Sequence, residues 1–479
     1  MSSKKPIEKK IITIDPVGRT EGHLAVTLTV EKNKVTHAKA YSPVYRGFEK
    51  IMIGRDPREA QDLPTRICGV CPMVHSVCGN KNMEMLFGVP YNENARLMRN
   101  ISHATHMIGD HALHFYHLAL LDYVKGPDKP PFTPRYGDDF RIPKKENDEI
   151  MSHYIQALEI RRISQEAATI FVGKLPHAIS FVPGGVTETP TKEKIEAWQS
   201  RFKKISDFVN NVWQKDVETV RKYYPDYNEI GSGPTDYLSF GVFELDNKDS
   251  KHYHRRGAVI DGKYEKLDLD LITEDVTYTW QDGKDGKKPT DADTKTGNPD
   301  KKDAYSFITA ARYKDRAVEV GPFARLKVDG KIDGHSSTMA RHHARVDEAL
   351  HLAPAVEKWV SELKLNESGM IAQMKTPKEG ISYGLSEAPR GACGHWMEVK
   401  DGKISHWQTI PATNWNGSPR DAKGNPGPFE LALADTPIEN PDYPVEAMRV
   451  VRSFDPCMAC SVHVIKPNGD LKKFVINPF

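Results

Sequence analysis

The chain has little cysteine, almost no net charge and no long hydrophobic run. Six cysteines in 479 residues are too few for a disulfide framework in a chain of this length. The chain carries 67 basic and 65 acidic residues, and a formal net charge of +2 gives no reason to expect nucleic acid as a partner. No run of about 18 apolar residues occurs, which argues against a transmembrane helix. The composition indicates a soluble globular protein that can bury a large core.

The start of the chain lacks the apolar segment of a signal peptide, although Lys4 and Lys5 make it basic. We therefore expect the chain either to stay in the cytoplasm or to cross a membrane attached to a partner that carries the signal.

Two periodicities organise the sequence. Alternation of polar and apolar residues predicts strands near the start, at Ile11–Asp15, His23–Val30 and Val35–Tyr41. A helical period then predicts long helices at Arg96–Val124, Asp148–Val172, Lys192–Lys222 and Ser336–Leu365. These patterns predict a mainly helical α+β fold, in which a long-helix bundle forms the core and small β-sheets lie at the periphery.

No internal repeat occurs, so we expect one large multi-layer unit. Its predicted regions are an N-terminal β region (1–60), a helical bundle with the first cysteine pair (61–240), a β and loop insertion (241–330) with a solvated loop (282–303), helices and a C-terminal β region with the second pair (331–463), and an extension (464–479).

Four of the six cysteines form two pairs of equal spacing, Cys68–Cys71 and Cys457–Cys460, near opposite ends of the chain. Two sulfurs at this spacing can hold one metal ion, and thiolates select soft or borderline metals such as zinc, iron, copper or nickel. Each pair alone also fits a structural zinc knuckle or buried free thiols. Zinc modules usually carry both pairs in one short segment, so the long separation favours a site that the fold closes.

A series of motifs along the chain, including both cysteine pairs, resembles the large, catalytic subunit of nickel–iron hydrogenases. The resemblance covers nearly the whole chain and runs in order through Asp15–His23, Tyr45–Glu49, Arg66–His75, Gly109–His117, Gly173–His177, Val182–Gly185, Glu319–Pro322, Glu387–Gly391, Trp415–Asp421 and Asp455–His463.

This resemblance implies the large-subunit fold and reversible, heterolytic cleavage of H2 to two protons and two electrons. It implies a Ni–Fe centre whose iron carries cyanide and carbon monoxide. Cys68 and Cys457 would bind nickel as terminal ligands, and Cys71 and Cys460 would bridge nickel to iron.

The resemblance also implies roles for residues without sulfur. Glu21 would relay protons from Cys457. Arg390 would stand over the metals with Asp110 and Asp455 positioning it. Without the resemblance, we would interpret Glu21 as a surface carboxylate, Arg390 as part of an ordinary ion pair and Asp455 as a turn or helix-cap residue.

Further residues are implied around the centre. Pro389 and Thr413 would surround the diatomic ligands, and His75 would bond a bridging sulfur. Glu49 and His463 would bind Mg²⁺ together with water.

Other polar or sulfur side chains near these motifs are interpreted differently. We expect five histidines of one helix to satisfy core polar groups and to bind no metal: His103, His106, His111, His114 and His117. Cys78 and Cys393 are expected to be small buried side chains, with a redox role left open.

The resemblance predicts processing and partners. An endopeptidase would cut between His463 and Val464 once nickel-insertion proteins have delivered the metal. No further cysteine set is available for iron–sulfur clusters, so electrons must leave through a partner. That partner would be an iron–sulfur small subunit, in a heterodimer or a dimer of heterodimers.

The second cysteine motif resembles those of membrane-bound uptake enzymes. We therefore expect a periplasmic or membrane-associated location, reached by co-export, with the cytoplasm as the alternative.

Other functions stay open from the sequence. A hydrogen-sensing hydrogenase would carry the same residues. A zinc-stabilised, non-catalytic subunit would keep the cysteines without nickel. Relatives in respiratory complex I share the fold but lack these cysteines, whose presence here argues against that assignment.

Overall fold

The structure is a computed structural model of the chain. It describes residues 8–89, 92–130, 132–133, 135, 137–293, 296–370 and 376–458. Its helices dominate and its sheets are small and antiparallel, which confirms the predicted α+β class.

The helices and strands follow one another along the whole described chain. The helices are α1 (Phe48–Met52), α2 (Pro72–Phe87), α3 (Glu93–Leu113), α4 (Lys144–Val172), α5 (Lys192–Phe208), α6 (Gln214–Tyr223), α7 (Pro322–Asp329), α8 (Thr338–Ser361), α9 (Ala412–Asn416), α10 (Pro428–Leu433) and α11 (Val445–Ser453). The strands are β1 (Lys10–Ile14), β2 (Ala25–Glu31), β3 (Lys34–Tyr41), β4 (Phe181–Val182), β5 (Gly185–Val186), β6 (Tyr237–Glu244), β7 (His252–Ile260), β8 (Lys263–Glu265), β9 (Ile272–Asp275), β10 (Ala310–Tyr313), β11 (Gly380–Ala388), β12 (Gly391–Lys400) and β13 (Lys403–Ile410).

The three predicted N-terminal strands form a meander in the order β1-β2-β3. Their apolar residues alternate, so Leu28 and Val30 face the core while their neighbours in β2 are less buried. The buried face packs on α10 and α11, where Phe429 and Val450 join the same hydrophobic cluster. This contact brings the start of the chain against the segment that carries Cys457.

Long helices form the main core, as predicted, and α3 packs between α4 and α8. The predicted helix 96–124 is not α-helical throughout. After Leu113 the chain widens into a π-helical segment at His114–Ala119 and then tightens into a 3-10 turn. The predicted helix 192–222 likewise contains a π-helical segment, at Val209–Trp213. A hydrophobic period cannot distinguish these windings from an α-helix, because they keep the same face buried.

The sheet β11-β12-β13 lies against α2. Close approach is possible because β11 has a glycine at Gly384, where a Cβ atom would lie 1.8 Å from the carbonyl oxygen of Cys78. A two-residue turn of Pro389 and Arg390 joins β11 to β12. Gly391 follows this turn with φ of 130°, a conformation that favours glycine. The fold therefore places α2 and the tip of this hairpin side by side.

Among the described helices, none combines the length and apolar character needed to cross a membrane.

Candidate metal centre

Three cysteine sulfurs converge in the core. The Sγ atom of Cys457 lies 3.3 Å from that of Cys68 and 3.8 Å from that of Cys71. All three side chains are at most 2% exposed. Two thiolates on one tetrahedral metal lie about 3.8 Å apart when the metal–sulfur bonds are about 2.3 Å. The three sulfurs therefore fit a single soft metal ion. Cys460 and His463 lie outside the described residues.

The first cysteine pair is formed by a short local turn. Cys68 ends a 3-10 segment, and Cys71 is the residue before α2, which begins with Pro72. Proline suits a first helical position because its fixed φ matches the helix and its missing N–H costs nothing there. The backbone N–H groups of Val70 and Cys71 donate to the Sγ atom of Cys68 at 3.2 and 3.3 Å. These donors stabilise a thiolate at Cys68.

Cys457, the first cysteine of the second pair, lies against the N-terminal segment. The N–H of Glu21 donates to the carbonyl of Pro456 at 3.3 Å, and the N–H of Met458 donates back to the carbonyl of Glu21 at 2.7 Å. The Sγ atom of Cys457 lies 3.1 Å from Oε2 of Glu21. The N–H of Cys457 donates to the hydroxyl oxygen of Thr413 at 3.0 Å. Glu21 and Thr413 thus hold Cys457 from two sides.

Arg390 lies between two carboxylates at the tip of the β11–β12 hairpin. Its Nη1 donates to Asp110 at 2.8 Å, and its Nη2 forms an ion pair with Asp455 at 3.1 Å. Arg325 supports the hairpin by donating to the carbonyl of Pro389 at 3.1 Å. Asp455 adopts φ of 61°, a left-handed conformation that aspartate tolerates better than most residues. The three charges are thereby fixed in a buried row.

The two carboxylates differ electrostatically although both are buried. Burial alone would raise the pKa of Asp110, but the charges of Arg390 and Arg161 hold it below its usual value. Burial raises the pKa of Asp455 to about 6, because Arg390 and Arg345 compensate only in part. Burial would lower the pKa of Arg390, but Asp455 and Asp110 keep it above its usual value. Arg390 therefore stays charged, and the proton affinities of its two partners are pushed apart.

A small cavity beside the sulfurs is lined by Cys71, Cys457, Arg390 and Thr413 and has a volume of about 10 Å³. Several polar atoms close to it have no hydrogen-bond partner within the described part of the chain. They include Nε of Arg390 and Nε2 of His75, which lines the same cavity. Buried polar groups are rarely left without partners unless a ligand, ion or water provides one. The sulfurs and these orphaned groups fit a metal centre that carries polar ligands of its own.

His75 also lines this cavity, and its Nδ1 lies 3.0 Å from Nε2 of His395. Both rings are fully buried, and burial lowers the pKa of His75 to about 4.

Three of the five histidines of α3 and the π-helical segment contact core polar groups. Nε2 of His111 lies 2.7 Å from Glu348. Nε2 of His114 lies 2.7 Å from the carbonyl oxygen of Arg452, and that of His117 lies 2.9 Å from the carbonyl oxygen of Tyr154.

Three residues near the site were not singled out from the sequence: Arg161, Arg345 and His395. Arg161 forms an ion pair with Asp110 at 3.3 Å, and Arg345 acts on Asp455 by its charge. Arg161 and Arg345 lie on long helices where arginine is common at the surface, so no local signal distinguishes them. His395 stands two residues after Cys393, and no local pattern in the sequence marks it as part of the site.

Glu49, which the resemblance implies as a ligand of Mg²⁺, lies in the first turn of α1.

Comparison with known proteins agrees with this geometry. The model of the nickel-dependent hydrogenase family matches residues 46–128, 124–333 and 326–463. The chain belongs to the nickel-dependent hydrogenase family. Among hydrogenases of known sequence, the large subunit of the periplasmic [NiFeSe] hydrogenase of Desulfomicrobium baculatum is 38% identical over 95% of each chain. The uptake hydrogenase large subunit of Rhodobacter capsulatus is 30% identical over 96% of each chain.

Solved hydrogenase structures share the fold. The H2-activated [NiFeSe] hydrogenase of Dm. baculatum matches with a TM-score of 0.92 and 38% identity, covering 95% of this chain and all of that chain. A [NiFeSe] hydrogenase variant from Desulfovibrio vulgaris Hildenborough matches with a TM-score of 0.90. These matches confirm the predicted hydrogenase large-subunit fold.

Proposed function

We propose that this chain is the catalytic large subunit of a nickel–iron hydrogenase that interconverts H2 with two protons and two electrons, working mainly in the direction of H2 uptake. The observation that carries the proposal is the convergence of three buried sulfurs, one of which contacts the carboxylate of Glu21 at 3.1 Å. This arrangement combines a soft metal site with a proton acceptor.

In this proposal Cys68 and Cys457 would hold nickel, and Cys71 and Cys460 would hold both nickel and an iron that carries cyanide and carbon monoxide. When bound, this centre supplies the electron-accepting chemistry and the position at which H2 is split. The chemistry of the donors supports it, because thiolates favour nickel and iron over hard cations.

The proton route begins at the Sγ atom of Cys457. Oε2 of Glu21 lies 3.1 Å from this sulfur, a hydrogen-bond distance across which a proton can transfer directly. The hydroxyl oxygen of Thr413 accepts a hydrogen bond from the backbone N–H of Cys457 and so keeps the cysteine in place. Glu21 is partly exposed, so it can pass a proton onward from the buried sulfur. Sulfur and carboxylate together thus form the first proton-transfer pair.

Arg390 provides a fixed positive charge above the sulfurs. Asp110 and Asp455 hold its guanidinium from two sides, and Nε is left to donate toward the cavity. We propose that it binds the anionic ligands of iron and orients H2 for cleavage, with Pro389 closing the same side. Arginine suits this role because its planar donors keep one geometry and stay charged when buried.

The electrons leave through a partner subunit. The relatives are named large subunits, which implies a small subunit in a heterodimer. We propose that this partner contains the iron–sulfur clusters, since the six cysteines of this chain leave no set for one.

We further propose a Mg²⁺ site that uses Glu49 and His463, and removal of residues 464–479 by a maturation endopeptidase after nickel insertion. The end of the family match at residue 463 supports this cleavage point. A periplasmic location by co-export with the small subunit is supported by the periplasmic relative. Membrane contact would then be indirect, through the partner.

Metal analysis, infrared spectroscopy and intact-mass measurement of the purified heterodimer test the proposal. We expect nickel, an excess of iron over nickel because the clusters of the small subunit also contain iron, infrared bands of cyanide and carbon monoxide, and a chain that ends at His463. Magnesium should fall in a Glu49→Gln variant, which keeps the side-chain shape but loses the charge. Zinc without nickel, together with no such infrared bands, would contradict the hydrogenase function. A full-length chain with normal nickel would contradict the processing step alone.

A further inference from the structure

His75 and His395 form a buried pair directly behind the cysteine sulfurs. His75 lies in α2, one turn after Cys71, and His395 lies in the central strand β12. Both side chains are fully buried. The hydrogenase function described above assigns no role to His395.

The two imidazoles meet edge to edge. Nδ1 of His75 and Nε2 of His395 are 3.0 Å apart. The ring centres are much further apart, at 5.2 Å, and the ring planes are inclined by only 20°. This is the geometry of one N–H···N hydrogen bond in the common plane of the two rings.

One hydrogen bond holds one proton, so only one of the two facing nitrogens can be the donor. If Nδ1 of His75 carried that proton, Nε2 of the same neutral ring would be a bare lone pair. If His395 is the donor, Nε2 of His75 carries the proton of that ring. Nε2 has no hydrogen-bond partner among the described residues. The direction of the hydrogen bond between the two rings therefore decides whether Nε2 of His75 is a donor or an acceptor.

The charge around His75 favours the donor. His75 lines the cavity that contains Cys71 and Cys457, and the negative charge of Cys68 acts on it more strongly than the positive charge of Arg46. Thiolate sulfur accepts hydrogen bonds and repels a lone pair. A proton on Nε2 is thus stabilised by the sulfurs, whereas a bare Nε2 would be repelled by them.

We infer that His395 is a positioning residue that donates from Nε2 to Nδ1 of His75 and thereby keeps the proton of His75 on Nε2, facing the sulfur site. Hydrogen bonds to metal-bound sulfur withdraw charge from it and change the potential of the centre. The electronic effect rests on the proposed function, because it requires the metal centre. The positions of the protons on His75 and His395 do not depend on that function.

The surroundings of His395 fit a fixed donor. In β12 its backbone pairs with Gly384 on one side and with Thr409 on the other. Its carbonyl accepts from Nδ2 of Asn82, in α2, at 3.1 Å. Its ring packs on Trp407 with centres 5.3 Å apart. The ring is therefore held between the sheet and α2 and cannot turn away from His75.

Cys393 provides no competing donor of similar strength. Its Sγ lies 3.9 Å from Nδ1 of His75 and 4.0 Å from Nε2 of His395. These distances are at the limit for sulfur, and a thiol is a weak donor. The orientation of His75 therefore depends on the other imidazole.

Neutron diffraction of the perdeuterated wild-type heterodimer tests the inference without any substitution. We expect deuterium on Nε2 of both His75 and His395. Deuterium on Nδ1 of His75 would overturn the inference, whatever the metal content of the crystals. A wild-type heterodimer that lacks nickel would instead overturn the proposed function.

Variants test the electronic effect. His395→Leu removes the donor, and His395→Gln keeps an N–H at the end of the side chain. We expect His395→Leu to shift the infrared bands of the iron ligands and the midpoint potential of the centre, and His395→Gln to restore them at least in part. Cys78→Ala is the matched control, since Cys78 is equally buried one turn beyond His75, and its spectrum should match the wild type. Equal spectra for His395→Leu and wild type at normal nickel content would overturn the effect.

Discussion

The carboxylate of Glu21 and the sulfur of Cys457 lie 3.1 Å apart although 436 positions separate them in the chain. Two backbone hydrogen bonds between the same segments hold this contact, so it does not depend on the side chains alone. Glu21 and Cys457 are thus far apart in the sequence, but both backbone and side-chain hydrogen bonds fix the distance between them. Proton transfer between a sulfur and a carboxylate requires such a fixed distance.

Glu21→Gln should stop proton transfer while keeping the shape of the contact. An amide cannot accept and release the proton, so we expect H2 oxidation to fall by about 10²- to 10⁴-fold. Nickel and iron content should stay at the wild-type level, because Glu21 is not proposed as a ligand. H2 oxidation with an artificial electron acceptor, measured beside metal analysis, checks both expectations.

Glu31→Gln is the control for this substitution. Glu31 ends β2 in the same N-terminal sheet and forms an ion pair with Lys9 at 3.2 Å. Its loss should leave turnover unchanged. A Glu21→Gln enzyme that keeps wild-type turnover would show that protons leave by another route.

Arg390→Lys tests whether the positive charge of Arg390 is sufficient or whether the planar geometry of its guanidinium is also needed. Lysine keeps a positive charge but has one ammonium group in place of the planar fork that contacts Asp110 and Asp455. We expect turnover to fall about 100-fold, the cost of losing one aligned donor at a reacting centre. Turnover per nickel, together with the infrared bands of the iron ligands, measures the effect.

Arg312→Lys provides the comparison for a buried arginine away from the sulfurs. Arg312 is 1% exposed and donates to Ser418 and to the carbonyl of Pro419. This variant should lose thermal stability while its turnover per nickel stays normal. If both arginine variants behave alike, Arg390 has a structural role only.

Cys68→Ala should abolish nickel binding, because it removes one of the three convergent sulfurs. Cys78→Ala should retain nickel, since Cys78 is as deeply buried but, among the described residues, belongs to no group of three possible metal ligands. Nickel content of the two heterodimers, measured by mass spectrometry, distinguishes them. Normal nickel in Cys68→Ala would remove this residue from the ligand set.

The sequence predicted the helical bundle and the N-terminal strands well, because both depend on short-range periodicity. Spacing alone indicated a soft-metal site for Cys68 and Cys71. The roles of Glu21 and Arg390 came from the resemblance, since an isolated carboxylate or guanidinium has no local signature. Their contacts in the structure agree with those roles.

Other features depend on tertiary packing that no local pattern reports. The hydrogen bond between His75 and His395 requires β12 to lie on α2 in one register. The π-helical segment at His114–Ala119 keeps the apolar face of a regular helix, so its winding was not predicted. Arg161 reaches Asp110 only because α4 packs on α3.

Glu430 should make stability depend on pH. Burial raises the pKa of Glu430 to about 7 from its ordinary value of 4.5, and the hydroxyl of Tyr305 and the charge of Arg420 compensate only in part. Between pH 4.5 and 7 the folded protein keeps a proton that the unfolded chain has released, so stability falls as pH rises through this range. Above about pH 7 both states are ionised and the effect is constant.

Comparison with Glu430→Gln isolates this effect, because glutamine does not titrate. The Tm of the wild type relative to the variant should fall between pH 4.5 and 7 and then level off. Thermal unfolding of both proteins at several pH values measures the difference. A difference that is independent of pH would place the pKa of Glu430 near its ordinary value.

Gly109→Ala tests the contact between α3 and α4. Helix propensity alone predicts that alanine stabilises this position by about 1 kcal/mol. Packing predicts the opposite, because the added Cβ would lie 1.9 Å from Oγ and 2.5 Å from Cβ of Ser164. Forcing an extra methyl group into a filled core costs about 1 to 3 kcal/mol, so we expect a lower Tm.

The double variant Gly109→Ala with Ser164→Gly should recover most of this loss, since it removes both atoms that the new Cβ would meet. Ser164→Gly alone should cost about 0.5 to 1 kcal/mol through the entropy of a glycine in a helix. Thermal unfolding of the four proteins forms a double-mutant cycle, in which the coupling should be favourable because the two sites touch. A stabilised Gly109→Ala protein would mean that α3 and α4 can move apart, and that the row of charges through Asp110 tolerates such movement.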